Sequence, residues 1–131
     1  MNIEDVNPTP VGELVIRVVA MPSDTNPFGD ISGGWLVTQM DTAAAIMAAK
    51  IAQGRATTMA ISEMSFIRPV KVGSVVCCYA KVTHVGRSSL KVNIEVWSRM
   101  PEKDERNKVT EAEFVYVAID ADRRLRAIPK E

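Results

Sequence analysis

The sequence has a single histidine, His84, so neither a two-histidine metal site nor an HExxH helix is available. It has two cysteines, and these are neighbours, Cys77 and Cys78. Adjacent residues on a strand point to opposite faces, which makes the pair a poor disulfide. Charge of one sign is also missing. Sixteen Lys and Arg balance sixteen Asp and Glu, and without a basic field nucleic acid is not an expected partner. Seven Gly and seven Pro are too few for a low-complexity chain. The first ten residues, Met1–Pro10, hold Glu4 and Asp5 and no apolar core, unlike a signal peptide. The longest apolar stretch, Trp35–Ala52, is interrupted by Gln39, Asp41 and Lys50, so no membrane span is expected. Together these absences predict a cytoplasmic protein with reduced thiols and no membrane partner.

The chain does have enough apolar material for a core. Its 131 residues are 47% hydrophobic and 24% charged, which predicts one globular domain over 1–131. Val and Ile total 27 against 4 Leu, a bias toward strands. Strands are predicted at 13–19, 56–67, 74–85, 89–98 and 111–120. The clearest is 89–98, where Leu90, Val92, Ile94 and Val96 alternate with Lys91, Asn93 and Glu95. Gly86-Arg87 reads as the turn of a hairpin, and Met100–Asn107 as a charged loop. One segment breaks the strand pattern. Trp35–Gln53 carries Ala at 43, 44, 45, 48, 49 and 52, which predicts a helix about 28 Å long. Ser32 is the expected cap and Gly54 the expected stop. The helix is apolar almost all round, so burial on several sides is expected. Met40, Met47, Met59 and Met64 read as core. One helix with several antiparallel strands is an α+β architecture.

Asp41 stands out within that helix. Residues 37, 38, 44 and 45 supply no cation to pair with it. A buried carboxylate then raises its pKa or finds a partner elsewhere in the fold. Asp41 either emerges at a surface or caps a neighbouring backbone, or it is a general base or nucleophile. The preceding segment, Asp24-Thr25-Asn26-Pro27-Phe28-Gly29-Asp30-Ile31-Ser32-Gly33-Gly34-Trp35, opens onto the helix N-terminus. Free amides and the helix dipole there suit a developing oxyanion, whereas a plain tight turn would need its glycines only for steric reasons. The twelfth position from Asp24 is Trp35, not Glu, so this is not an EF-hand. No Gly-Lys-Ser/Thr follows, so it is not a phosphate loop.

Several segments carry a resemblance. They are Met21 to Asn26, Gly29 to Trp35, Gln39-Met40-Asp41, Met64-Ser65-Phe66-Ile67-Arg68-Pro69, Val72 to Val76, Gly86-Arg87-Ser88-Ser89 and Arg124 to Pro129. Taken in order, they resemble hotdog-fold acyl-CoA thioesterases of the YciA-like bacterial branch. The resemblance implies a long central helix wrapped by a five- or six-stranded antiparallel sheet. It implies hydrolysis of acyl-CoA to free CoA and a carboxylic acid with no cofactor and no metal. It also implies dimers that assemble further, as a trimer of dimers. By the same resemblance Asp41 is base or nucleophile, the Gly33 N–H polarises the thioester carbonyl, and Asn26 lies near the reacting group. Gly34 and Arg68 are substrate-binding candidates. Related enzymes use a hydroxyl one turn after the carboxylate to place water; here that position is Ala45, with Thr42 beside Asp41.

Gly33 and Asp41 are eight residues apart, about 12 Å of helix rise. A base or nucleophile should lie about 3–3.5 Å from the reacting carbon. One thioester therefore cannot touch both on a straight helix, which predicts a site shared by two subunits. Gly86, Arg87, Ser88 and Ser89 offer a cation, two hydroxyls and free backbone to the phosphates of CoA, with Arg123, Arg124 and Arg126 as further cations. The alternative is a non-catalytic acyl-CoA or lipid-binding module on the same fold. Hydration or dehydration of acyl thioesters fits less well, because the only histidine lies outside the helix region.

Overall fold

A computed structural model describes residues 9–130. The Met1–Pro10 reading falls outside that range except for its last two residues. Five strands and one long helix are formed: β1 (Glu13–Val19), α1 (Gly33–Ala52), β2 (Ala56–Ile61), β3 (Val75–Val85), β4 (Ser89–Arg99) and β5 (Asn107–Ala118). The strands make one sheet in the order β1-β3-β4-β5-β2, and every neighbouring pair is antiparallel. α1 lies across one face.

Period-two patterning sets that face. Leu90, Val92, Ile94 and Val96 of β4 are fully buried. Across the ladder Val92 faces Val82, Ile94 faces Ala80 and Val96 faces Cys78. Each such side chain contributes about 1.5–3 kcal/mol on leaving water. From the helix Leu36, Met40, Ala43, Ala44, Met47, Ala48 and Ala52 complete the core. Alanine at four of these positions keeps the helix axis close to the sheet.

The element ends differ from expectation in several places. The helix starts at Gly33, two residues before Trp35. Ser32 is its N-cap residue, but the Ser32 side chain makes no capping hydrogen bond. At the other end Gln53, not Gly54, takes the left-handed conformation (φ 51°), and the Gly54 N–H bonds back to the Ala49 carbonyl. β2 ends at Ile61 instead of 67, although the chain still tracks β5: the Ser62 hydroxyl accepts the Glu113 N–H, and the Ile67 N–H bonds the Val109 carbonyl. β5 starts at Asn107 instead of 111, because β4 runs on to Arg99 and offers a partner that far along.

Burial on several sides of the helix is not met within one chain. Gly34, Thr38, Thr42, Ile46 and Ala49 form an exposed stripe opposite the sheet. Thr38 and Thr42 turn their hydroxyls back onto the Gly34 and Thr38 carbonyls, which leaves a largely apolar surface. Met59 is also exposed, at 69%, because β2 is an edge strand and not interior. Met40 and Met47 are core, and Met64 packs at its margin.

The outer sheet face is partly covered by the segment before β1. The Val11 N–H bonds the Glu95 carboxylate at 3.3 Å. Gly12 sits at φ 113° with its α-carbon against the Ala80 carbonyl, where a β-carbon would lie 2.7 Å from the oxygen. Only glycine passes there.

Candidate active site

The polar features of α1 fall into two places. At its N-terminus the first amide bonded into the helix is that of Leu36, to the Ser32 carbonyl at 3.2 Å. Without a side-chain cap, the amides of the first turn are left for an external acceptor. Gly33 and Gly34 have ordinary φ values, and a β-carbon at either would meet nothing closer than 3.5 Å. Neither backbone conformation nor packing within the chain therefore demands these glycines. A side chain at Gly33 would instead reach toward Phe66, which lines the same cleft.

That cleft has a volume of about 320 Å³ and is lined by Asn26, Gly33, Leu36, Phe66 and Arg68 among others. Asn26 organises the loop above it. Its side-chain oxygen accepts the Phe28 and Asp30 N–H groups at 2.9 and 3.2 Å, so the amide NH₂ is the part left to donate. Arg68 is anchored by one nitrogen on the Lys108 carbonyl at 2.7 Å. Three residues drawn from separate parts of the sequence, Asn26, Gly33 and Arg68, thus meet at one opening.

Asp41 does not line that cleft. Two turns further along α1 it is half-buried, and no cation pairs with it: among the described residues the only ion pairs are Lys91–Glu113 and Lys108–Glu111. Its partners are two hydroxyls. Thr58 of β2 donates to Oδ1 at 2.8 Å, and Tyr116 of β5 donates to the same oxygen. The Tyr116 hydroxyl also lies 2.9 Å from the Asp41 carbonyl oxygen. Burial pushes the Tyr116 phenol well above its ordinary pKa, and the hydrogen bond to Asp41 adds to the rise. The phenol therefore stays protonated as a donor. Oδ1 is held twice and, among the described residues, Oδ2 has no hydrogen-bond partner, so the carboxylate is oriented with one oxygen open.

Thr58 and Tyr116 were not legible as site residues. Thr42, the hydroxyl next to Asp41 in sequence, is turned away onto Thr38. The one available signal was chemical: a tyrosine on the inward parity of β5, with Phe114 and Ala118, must find an acceptor once buried.

Gly86 and Arg87 lie elsewhere again. With Lys50, Gln53, Ile128 and Lys130 they line a groove of about 980 Å³ at the C-terminal end of α1. It is the larger opening, yet it contains neither Asp41 nor Gly33. Ser88 and Ser89 do not line it. Ser89 begins β4 and its carbonyl accepts the Gly86 N–H, while the Ser88 carbonyl accepts the Ala118 N–H. Arg126 is not free for a ligand either. It donates to the carbonyls of Ile119, Ala52 and Arg55 at 2.8–3.1 Å, satisfying the C-terminus of the helix. No group of three or more His, Cys, Asp or Glu that could hold a metal occurs among the described residues. Among the described residues no helix is long and apolar enough to cross a membrane.

Comparison with known proteins gives this geometry a context. Residues 28–104, which run from the loop beside Asn26 through β4, match the Thioesterase superfamily. The chain belongs to that superfamily. Among curated thioesterases, the acyl-CoA thioester hydrolase YciA of Salmonella typhimurium is 52% identical over 124 residues, covering 92% of this chain and 93% of that one. The hexameric thioesterase of Yersinia pestis superposes with a TM-score of 0.89 at 50% identity, covering 94% of this chain and all of that one. A hexameric hotdog-fold thioesterase of Campylobacter jejuni gives 0.84 at 37% identity over 90% and 91%. The helix on a five-stranded antiparallel sheet is accordingly a hotdog fold.

Proposed function

We propose that this thioesterase-superfamily chain hydrolyses acyl-CoA thioesters to free CoA and a carboxylic acid, and does so without a cofactor. The observation that carries this is Asp41, a carboxylate on an apolar helix with one oxygen held by Thr58 and Tyr116 and the other without a partner among the described residues. Relatives about half identical in sequence are named acyl-CoA thioester hydrolases. A binding module would have no use for so oriented a carboxylate.

In the reaction we infer, the first-turn amide at Gly33 and the Asn26 amide donate to the thioester oxygen as it becomes an oxyanion. Asp41 then acts in one of two ways. As a base, it takes a proton from water while the hydroxide oxygen bonds to the carbonyl carbon. As a nucleophile, it bonds that carbon directly, and water later cleaves the anhydride. In both cases the carbon–sulfur bond breaks and the CoA thiolate takes up a proton.

The separation of Gly33 and Asp41 along one unbroken helix, about 12 Å, favours a site composed of Asp41 from one subunit and Asn26 with Gly33 from its mate. The exposed stripe through Thr38, Thr42 and Ile46 is a surface on which such a mate would pack. Hexameric relatives support a trimer of dimers. The groove at Gly86 and Arg87, with Lys50 and Lys130, suits the anionic part of CoA; Gly34 and Arg68 flank the reacting end, and Ser88 and Ser89 shape the hairpin. We place this activity in one domain over 1–131 in the cytoplasm, consistent with the unpaired thiols Cys77 and Cys78.

The test is CoA release from short, medium and long acyl-CoAs, beside Asp41→Asn. A fall of about 10²–10⁴-fold in kcat with the fold intact is expected for loss of a general base. Tight acyl-CoA binding by the unaltered protein, with no turnover at any chain length, would establish the binding module instead.

A further inference from the structure

The mechanism uses nothing on the outer face of the sheet, yet that face carries an ordered cluster of its own. The strand register sets Arg17 of β1 opposite Cys77 of β3, and Cys77 opposite Trp97 of β4. One step along, Val75 faces Arg99. The β4–β5 loop adds Asp104 and Arg106. Arg17, Arg99 and Arg106 together line a pocket of about 100 Å³ whose apolar walls include Trp97 and Tyr79. Trp97 is 4% exposed and its ring nitrogen donates to Glu95 at 2.9 Å, so this wall is fixed.

Charge balance at the pocket is uneven. Three arginines line it against one acidic residue, the exposed Asp104. Among the described residues none of the three arginines has a carboxylate within 4.0 Å, because the only ion pairs are Lys91–Glu113 and Lys108–Glu111. Glu95, the buried carboxylate on the same face, is already taken by the Trp97 ring N–H and the Val11 amide. Arg99 is steadied by the Lys103 carbonyl at 3.3 Å, which ties the loop over the pocket. Converging like charges beside an apolar wall repel one another unless an anion joins them.

We propose that this pocket binds a phosphoryl group. Guanidinium forks match the oxygens of a phosphate better than those of a chloride or a single hydroxyl. The pocket, about 100 Å³, has room for a phosphoryl group. The ligand is therefore either inorganic phosphate or the terminal monoester of a larger molecule whose remainder lies outside. The pocket lies across the sheet from α1, so it is separate from Asp41, and the proposal stands independently of the hydrolase reading.

The test is calorimetric titration of the assembled protein at constant ionic strength, with chloride as the balancing salt. The probes are inorganic phosphate and adenosine 3′-monophosphate. The expected result is saturable binding of one ligand per protomer, weakened at least tenfold by Arg99→Gln or Arg106→Gln. Arg17→Gln, on an exposed edge-strand position, gives the same weakening in a variant whose folding is not at stake. Tighter binding of the monoester identifies a larger ligand; equal binding identifies free phosphate. No saturable binding of either probe would overturn the proposal. So would binding that all three variants leave unchanged, or monoester binding that Arg87→Gln abolishes and Arg17→Gln spares.

Discussion

α1 presents two polar sites, and they are built in opposite ways. At its N-terminus the chain leaves hydrogen-bonding capacity unspent: Ser32 does not cap, Gly33 and Gly34 bring no side chain, and the first bonded amide is that of Leu36. Eight residues on, the chain spends everything it has on one atom. Oδ1 of Asp41 receives hydroxyls from β2 and β5. The proposed roles account for the difference: an oxyanion donor must stay open to a ligand, whereas a base or nucleophile must be aimed by its neighbours. One helix can offer both because only its ends have free backbone groups, whereas its middle faces the sheet.

The open end can be broken by a single substitution. Gly33→Pro removes one N–H and little else, since proline is favoured at the first helical position. Ser32, at φ −62° and ψ 134°, already has the extended conformation required before proline. We expect kcat to fall about 10²–10³-fold, the loss of one oxyanion donor, with the thermal midpoint nearly unchanged; full activity in this variant would remove Gly33 from the mechanism.

Mixing subunits sharpens the same contrast. Asp41→Asn and Gly33→Pro chains are each expected to be nearly inactive. Unfolded together and refolded, they should recover roughly a quarter of the original activity, because each mixed two-fold pair contains one intact shared site. No recovery in verified mixed assemblies would mean that both groups act within one chain.

Removing a partner of Asp41 has a smaller effect. Tyr116→Phe removes one of two donors to Oδ1 and keeps the ring in the core. A fall of about tenfold in kcat is expected, of the order of 1.4 kcal/mol, with KM little altered. An unchanged kcat would leave Tyr116 as packing alone.

The mildest effect is on stability and concerns a residue outside both sites. Burial pushes the Cys78 thiol up to about 12, with the neighbouring Cys77 adding to the rise. A raised value in the folded state means that its contribution is complete below the unfolded value of 9.0 and is lost as pH rises from there through about 12. Cys78→Ala should flatten the alkaline part of a stability–pH curve, and in the native protein at pH 8 Cys78 should resist thiol reagents. Rapid labelling of Cys78 would contradict its burial.

How much of this was legible in the chain depended on the distance over which the information acts. The alternation of Leu90, Val92, Ile94 and Val96 and the alanines of α1 act within a few residues, so the β3–β4 hairpin and the helix were both readable. The ends were read less well. β2 stops at Ile61 because the Ser62 side chain takes over a ladder position, and β5 starts at Asn107 because β4 extends beside it. Asp41 was conspicuous as a charge in an apolar run. Asn26 and Gly33 stood out through the glycine-rich loop at a helix start.

What the sequence determined by itself, then, was the inventory: one helix, a set of strands with a defined inner face, a carboxylate in the middle of the helix and an open amide turn at its start. These follow from propensity and period, which are local. Tertiary structure alone decided who meets whom. Thr58 and Tyr116 lie 17 and 75 residues from Asp41 and reach it only because β2 and β5 are neighbours in the sheet. Arg126 became a cap rather than a ligand for phosphate because the tail returns beside Ala52. A hydrogen bond depends on separation in space, and a chain fixes that separation between distant residues only by folding.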